Sequence, residues 1–102
     1  KQFEKDHYKG ALPLRYRMLF FHIINKGQKD RVDEILKVLQ NMNKELPDEA
    51  NRMSVLRELT GFERIANQQQ KEKASTYLQE ISNNLQPNNA AYVQSLITRI
   101  KK

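Results

Sequence analysis

The 102-residue chain contains no cysteine and no tryptophan, only three glycines and three prolines, and no long apolar run. Without cysteine there are no disulfide staples, no thiolate metal sites and no thiol nucleophile, which suits a reducing compartment. So little glycine and proline excludes a collagen-like, low-complexity or turn-rich all-β chain. The longest apolar stretch, Met18 to Ile24, is broken by His22 and falls far short of the roughly 20 residues a membrane helix needs. No membrane association is therefore expected. Nothing in the opening residues reads as a signal peptide, and a chain that begins at Lys1 is expected to be a piece of something longer.

What is present is charge and amide. Eighteen Lys and Arg against twelve Asp and Glu leave a net charge of +6. Residues 1–31 carry +5, residues 32–70 carry −2 and residues 71–102 carry +3, from eight, five and five basic against three, seven and two acidic side chains. Such a field favours acidic partners only diffusely. Nine Asn and nine Gln supply amides suited to hydrogen bonding an extended backbone.

Apolar residues recur every three or four positions, and no useful stretch alternates with period two, so the expected class is all-α. Residues 1–12 read as a linker or the end of a preceding helix, closed by Gly10, and 13–102 as a helical-repeat domain. Pro13 opens a helix carrying Leu14, Tyr16, Phe20, Ile23 and Ile24 that stops near Gly27. A second helix, 28–46, carries Val32, Ile35, Leu36, Leu39, Met42 and Leu46. Pro47 breaks it and Asp48 caps a third, 49–67, with Met53, Leu56, Leu59, Phe62 and Ile65. A fourth, about 70–85, uses Ala74, Tyr77, Leu78, Ile81 and Leu85. A terminal helix, 88–102, follows Pro87. The aromatic residues Tyr16, Phe20, Phe21, Phe62, Tyr77 and Tyr92 are expected in the core.

Shifted by 42 positions, residues 15–41 lie on 57–83 with eight of 27 identical, including Phe20/Phe62, Asn25/Asn67, Gln28/Gln70, Leu36/Leu78 and Asn41/Asn83. A duplicated helix pair of this length predicts antiparallel pairs, 13–46 and 48–85, stacked as a short TPR/HEAT-like α-solenoid with a C-terminal capping helix. Small Val32 and Ala74 begin the second helices, where close approach is wanted.

On a helical wheel Arg15, His22 and Lys26 lie opposite the apolar arc, and the 42-residue shift sends them to Arg57, Arg64 and Gln68, with Gly61 between. In a solenoid these stripes would line the concave face. Guanidinium groups there suit the carboxylates and carbonyls of an extended peptide, and Gly61 would leave room for its backbone. Arg15, His22, Arg57 and Arg64 are therefore the candidate peptide-binding residues. The alternative is a solvated face with no ligand.

No catalytic, metal or cofactor site is expected. His7 and His22 lack a ligand at metal spacing. Glu58 and Glu63 are five apart and Asp33 and Glu34 adjacent, so neither pair shares a helical face. There is no serine triad and no glycine-rich phosphate loop. A helix-turn-helix needs a short basic second helix, whereas 31–46 is long and net neutral, so the chain is not expected to read DNA itself.

The stretch SVLRELTGFERIANQQQKEKASTYLQEISNNLQPNNAAYVQSLITRIKK (Ser54–Lys102) resembles the carboxyl end of Rgg/GadR/MutR-type transcription regulators. Phe62 sits in a repeat helix, Gln68–Gln70 form a turn with Gln69 where glycine is more usual, and Lys71–Leu85 and Ala90–Lys102 are amphipathic helices. Arg17–Leu46 is similar to the preceding pair. The resemblance implies a cytoplasmic bacterial regulator whose repeat domain forms a homodimer and receives a short signalling peptide. DNA would be bound only through a domain missing from this chain. Val93, Leu96, Ile97 and Ile100 of the last helix are expected to cap the repeat or form the dimer contact. The competing expectation is a helical scaffold that binds a protein partner without a small ligand.

Overall fold

Helix α1 runs unbroken from Gln2 to Asn25 in a computed structural model, which describes the backbone of residues 2–101 and the side chains of residues 12–101. The expected boundary at Gly10–Pro13 is absent: both residues lie inside α1. Glycine and proline cost a helix interior about 1 and about 3 kcal/mol, which a long helix packed along one side can bear. The end of α1 matches expectation. Gly27 takes φ +62°, its amide bonds to Ile24 O at 3.2 Å, and the amide of Gln28 reaches back to Ile23 O at 2.9 Å. That pair of bonds is the Schellman closure, which needs a left-handed residue at the glycine position.

A 3-10 turn, Lys29–Arg31, leads into α2, Val32–Glu45. Arg31 grips Glu34 with two bonds, Nε to Oε2 at 2.7 Å and Nη2 to Oε1 at 3.0 Å. Asp33 and Glu34 in the first turn face the positive end of the helix dipole. The buried side chains of α2 are Val32, Ile35, Leu36, Val38, Leu39 and Met42. After Pro47, Asp48 caps α3, Glu49–Leu56, by accepting the Ala50 amide at 3.1 Å.

The third expected helix is not continuous. After α3 the chain passes through a 3-10 turn, Arg57–Leu59, breaks at Thr60–Gly61, and resumes as one short turn, α4, Phe62–Ile65. Gly61 stands at φ +97°, and a Cβ there would lie 2.9 Å from Ile24 Cγ2 and 2.7 Å from Arg64 Nη2. The break thus lets the chain close down on the end of α1. Helix α5, Gln68–Ser82, begins with a capping box: Gln70 N donates to Asn67 Oδ1 at 2.8 Å and Asn67 N to Gln70 Oε1 at 2.9 Å. Gln68–Gln70, expected as a turn, are therefore the first turn of α5, because Asn67 supplies the acceptor that starts the helix at Gln68, two residues earlier than expected. Helix α6, Pro87–Lys101, opens on proline, whose missing donor costs nothing there.

The described residues are helical apart from the short connections and contain no strand. Helix α1 lies along α3 and its 3-10 extension, α2 along α5, α5 along α6, and α4 touches α6. The Cα extents are 45 × 32 × 17 Å, so the molecule is about two helices thick at the usual 8–10 Å spacing. Between the layers Phe20 of α1 and Phe62 of α4 are fully buried, with Ile23, Ile35, Met42, Leu56, Leu78 and Ile81. Val32 and Ala74 are both completely covered. The matched apolar pairs of the 42-residue offset occupy the core in both halves, whereas the matched polar ones do different work. Asn67 caps α5, while Asn25 donates back to Phe21 O at 2.9 Å.

Arg52 was not singled out by its position in the sequence. It is 6% exposed and donates through Nη1 to Leu46 O (2.8 Å) and Pro47 O (3.0 Å), and through Nη2 to Asn84 O (3.2 Å). One guanidinium thereby serves the carbonyl ends of both α2 and α5, where the helix dipoles favour positive charge. Glu49 makes the counterpart link. Its carboxylate accepts Asn89 Nδ2 at 2.6 Å and the Gln86 amide at 2.9 Å, tying α3 to the start of α6.

Candidate functional site

The four expected peptide ligands lie in three different settings. Arg15 and His22 are exposed on α1, Arg57 is exposed in the 3-10 turn, and Arg64 is exposed on α4. The second helix of the proposed pair of stripes is interrupted, so Arg57 and Arg64 do not continue a straight row equivalent to that on α1. The space above Gly61 is already taken: the Arg64 guanidinium and Ile24 stand where a peptide backbone was expected to pass. Arg64 therefore covers a turn of its own chain. His22 contacts Phe21 edge to face, with ring centroids 5.8 Å apart and planes at 73°.

What the sequence reading missed is apolar. Leu14, Met18 and Phe21 are 53%, 51% and 52% exposed. Phe21 was expected in the core; it and Leu14 instead point away from it, because the buried arc of α1 is centred on Phe20, Ile23 and Ile24. At about 100° per residue, positions 14, 18 and 21 fall within one narrow arc beside that core face, and Arg15 and His22 fall on its flank. The spacing i, i+4, i+7 was visible in the sequence. It was hidden because a helix with apolar residues on more than half its circumference has no unique inward face.

On the other flank Arg17 Nη2 pairs with Glu58 Oε2 at 3.7 Å, holding α1 to the 3-10 turn. Leu14, Arg17, Met18, Phe21 and Glu58 line a shallow depression of about 110 Å³. This is well below the roughly 300–1,000 Å³ of sites that engulf a small molecule. The surface is a ridge with a dent in it, suited to laying a side chain of a larger partner on an apolar stripe.

No protein-family model, no curated protein and no solved structure matches the chain. The site therefore rests on its own geometry.

The remaining expected site residues sit elsewhere. Val93, Leu96, Ile97 and Ile100 are 0%, 2%, 7% and 1% exposed, buried within this chain as α6 packs on α5 and α4. Their side chains are thus turned into this chain's own core. No helix among the described residues is long and apolar enough to cross a membrane.

Proposed function

We propose that this chain is a peptide- or protein-segment-binding helical domain that receives its partner on the exposed face of α1. The single observation that carries the reading is the stripe Leu14–Met18–Phe21, half exposed, with basic side chains beside it. Burying three such side chains removes apolar area from water, and the adjacent cations select a partner bearing carboxylates. The resemblance to Rgg/GadR/MutR-type regulators supplies a setting. In it the chain is the sensing and dimerisation part of a cytoplasmic transcription regulator, the partner a short signalling peptide, and DNA is contacted by a separate domain. The neighbour order, α1 beside α3, α2 beside α5 and α4 against α6, supports a stack of helix pairs of the TPR/HEAT-like kind with α6 as its cap.

A protein partner without a small ligand is the second reading. It is favoured by the shallowness of the depression at Leu14, Arg17, Met18, Phe21 and Glu58. The two separate in one experiment. Fluorescein-labelled acidic peptides of six to eight residues, each with two leucines, are titrated against the wild type and against Met18→Ser with Phe21→Ser. Binding weakened about tenfold or more by the double variant, at unchanged helicity, supports the α1 face. Binding that ignores the substitution removes this face from the reading. If no such peptide binds the wild type, the protein-partner reading stands in its place.

A further inference from the structure

The exposed face of α1 also limits the form of what it can bind, an inference that rests on the reading of that face as a docking surface. Among the described residues, Leu14, Met18 and Phe21 are the large apolar side chains left exposed, and all three stand on one helix within one arc. Their spacing, i, i+4 and i+7, spans about 10 Å at 1.5 Å per residue. A row of that kind is what a second helix packs against, ridge into groove. The depression beside it holds about 110 Å³, room for one side chain of a partner.

An extended peptide holds a surface largely through its main chain, by pairing with free amides, carbonyls or side-chain amides. The α1 face offers little of this. From Leu14 to Phe21 the backbone lies inside the helix, where amides and carbonyls bond to one another. Asn25, the side-chain amide on the same arc, turns its Nδ2 back to Phe21 O at 2.9 Å. A helix, by contrast, satisfies its own backbone and presents side chains alone, which is what a surface of side chains can receive.

The charge around the stripe selects among helices. From Leu12 to Gly27 the sequence holds Arg15, Arg17 and Lys26 and neither Asp nor Glu. On the helical wheel Arg17 lies to one side of the stripe, and Arg15 and Lys26 lie to the other. Arg57 adds an exposed guanidinium in the adjoining 3-10 turn. Glu58, the carboxylate lining the depression, already faces Arg17 at 3.7 Å. A second copy of the chain is a poor occupant, since α1 laid on another α1 brings these cations together. We infer that the α1 face docks an amphipathic α-helix of a partner protein. Its apolar side chains at i, i+4 and i+7 lie over Leu14, Met18 and Phe21, and carboxylates on both its flanks meet the arginines and Lys26.

The test titrates the whole chain against a fluorescein-labelled peptide, acetyl-EAELEEALAELEAE-amide, whose leucines share one helical face. A peptide this short is marginally helical alone, so binding should raise the helical circular dichroism of the mixture above the sum of its parts. Proline in place of the alanine before the middle leucine forbids the helix while keeping length, charge and leucines. It should weaken binding about tenfold or more. Glutamine in place of every glutamate should do the same at low salt. Met18→Ser with Phe21→Ser should abolish binding of the parent peptide without lowering the melting temperature of the chain. A proline peptide as tight as its parent overturns the helical partner; if that binding still needs Met18 and Phe21, the α1 face stands as a site for extended chain. Parent peptide that binds the double serine variant undiminished removes the face and the inference together. A glutamine peptide as tight as its parent, no binding of the parent peptide below about 1 mM, or self-association of the wild type through the stripe in sedimentation would each overturn the inference.

Discussion

The guanidinium of Arg52 reaches the carbonyl of Asn84 across 32 residues of sequence, at 3.2 Å, while its other terminal nitrogen holds Leu46 and Pro47. Its hydrogen bonds all go to the carbonyl ends of two helices, and the Glu49 carboxylate lies near enough to feel its charge. Arg52→Met keeps the stem and removes all three donors. It is expected to destabilise the chain by about 2–4 kcal/mol in urea unfolding, since hydrogen bonds to charged groups are worth about 1.5–3 kcal/mol and the carbonyls lose their partner. Arg52→Lys should recover little, because a single ammonium cannot span carbonyls on both sides of a planar fork. A loss below about 0.5 kcal/mol for the Met variant would show that water replaces the guanidinium.

Gly61→Ala and Gly27→Ala should differ, although both glycines have positive φ. At Gly27 nothing lies within 4 Å of an added Cβ, so only backbone strain of about 1 kcal/mol is expected. At Gly61 the Cβ would also meet Ile24 Cγ2 at 2.9 Å, raising the cost to about 2–4 kcal/mol. Adding Ile24→Ala to Gly61→Ala should cost less than the two single losses summed, which a double-mutant cycle in urea would detect.

Glu49 is expected to make stability depend on acid. Its bonds from Asn89 and then from the Gln86 amide, with Arg52 nearby, hold its carboxyl below its ordinary value of 4.5. A lowered folded-state pKa means that the stabilising contribution is fully present above the unfolded value. It is lost as pH falls from there through the folded one. The difference in stability between wild type and Glu49→Gln should therefore be constant near neutrality and shrink below about pH 4.5. A difference that is unchanged at pH 3 would detach the effect from this carboxylate.

The neighbours Phe20 and Phe21 should respond very unequally to truncation. Phe20 is fully buried and Phe21 is 52% exposed. Phe20→Ala is expected to cost about 3–5 kcal/mol and Phe21→Ala less than about 1 kcal/mol. Comparable losses in thermal or urea melts would return Phe21 to the core, where its type alone had placed it.

Much of the helical layout was legible because it rests on local rules. The spacing of Val32, Ile35, Leu36, Leu39 and Met42 has only one inward face, and Asp48 after Pro47 has only one reasonable use. The breaks at Gly10–Pro13 and Thr60–Gly61 were read the wrong way round, since local cost does not reveal which glycine sits against another helix. Only the approach of Ile24 decides that Gly61 interrupts. The same holds for sites. Arg57 and Arg64 are basic and correctly spaced, yet one guanidinium folds over its own turn. Leu14, Met18 and Phe21 look like core until Phe20 and Ile23 have claimed the inside.

The interruption at Gly61 leaves α3 with eight residues and α4 with four. Isolated helices shorter than about 12–15 residues do not persist in water. Neither piece can therefore act as a seed, and the middle of the chain must acquire its shape on a surface already formed by α1 on one side and α6 on the other. During synthesis that second surface emerges after the segment it must hold. The segment from Glu49 to Ile65 would then wait, unstructured, until α6 has left the ribosome, and it is there that a chaperone or a protease would find this protein open.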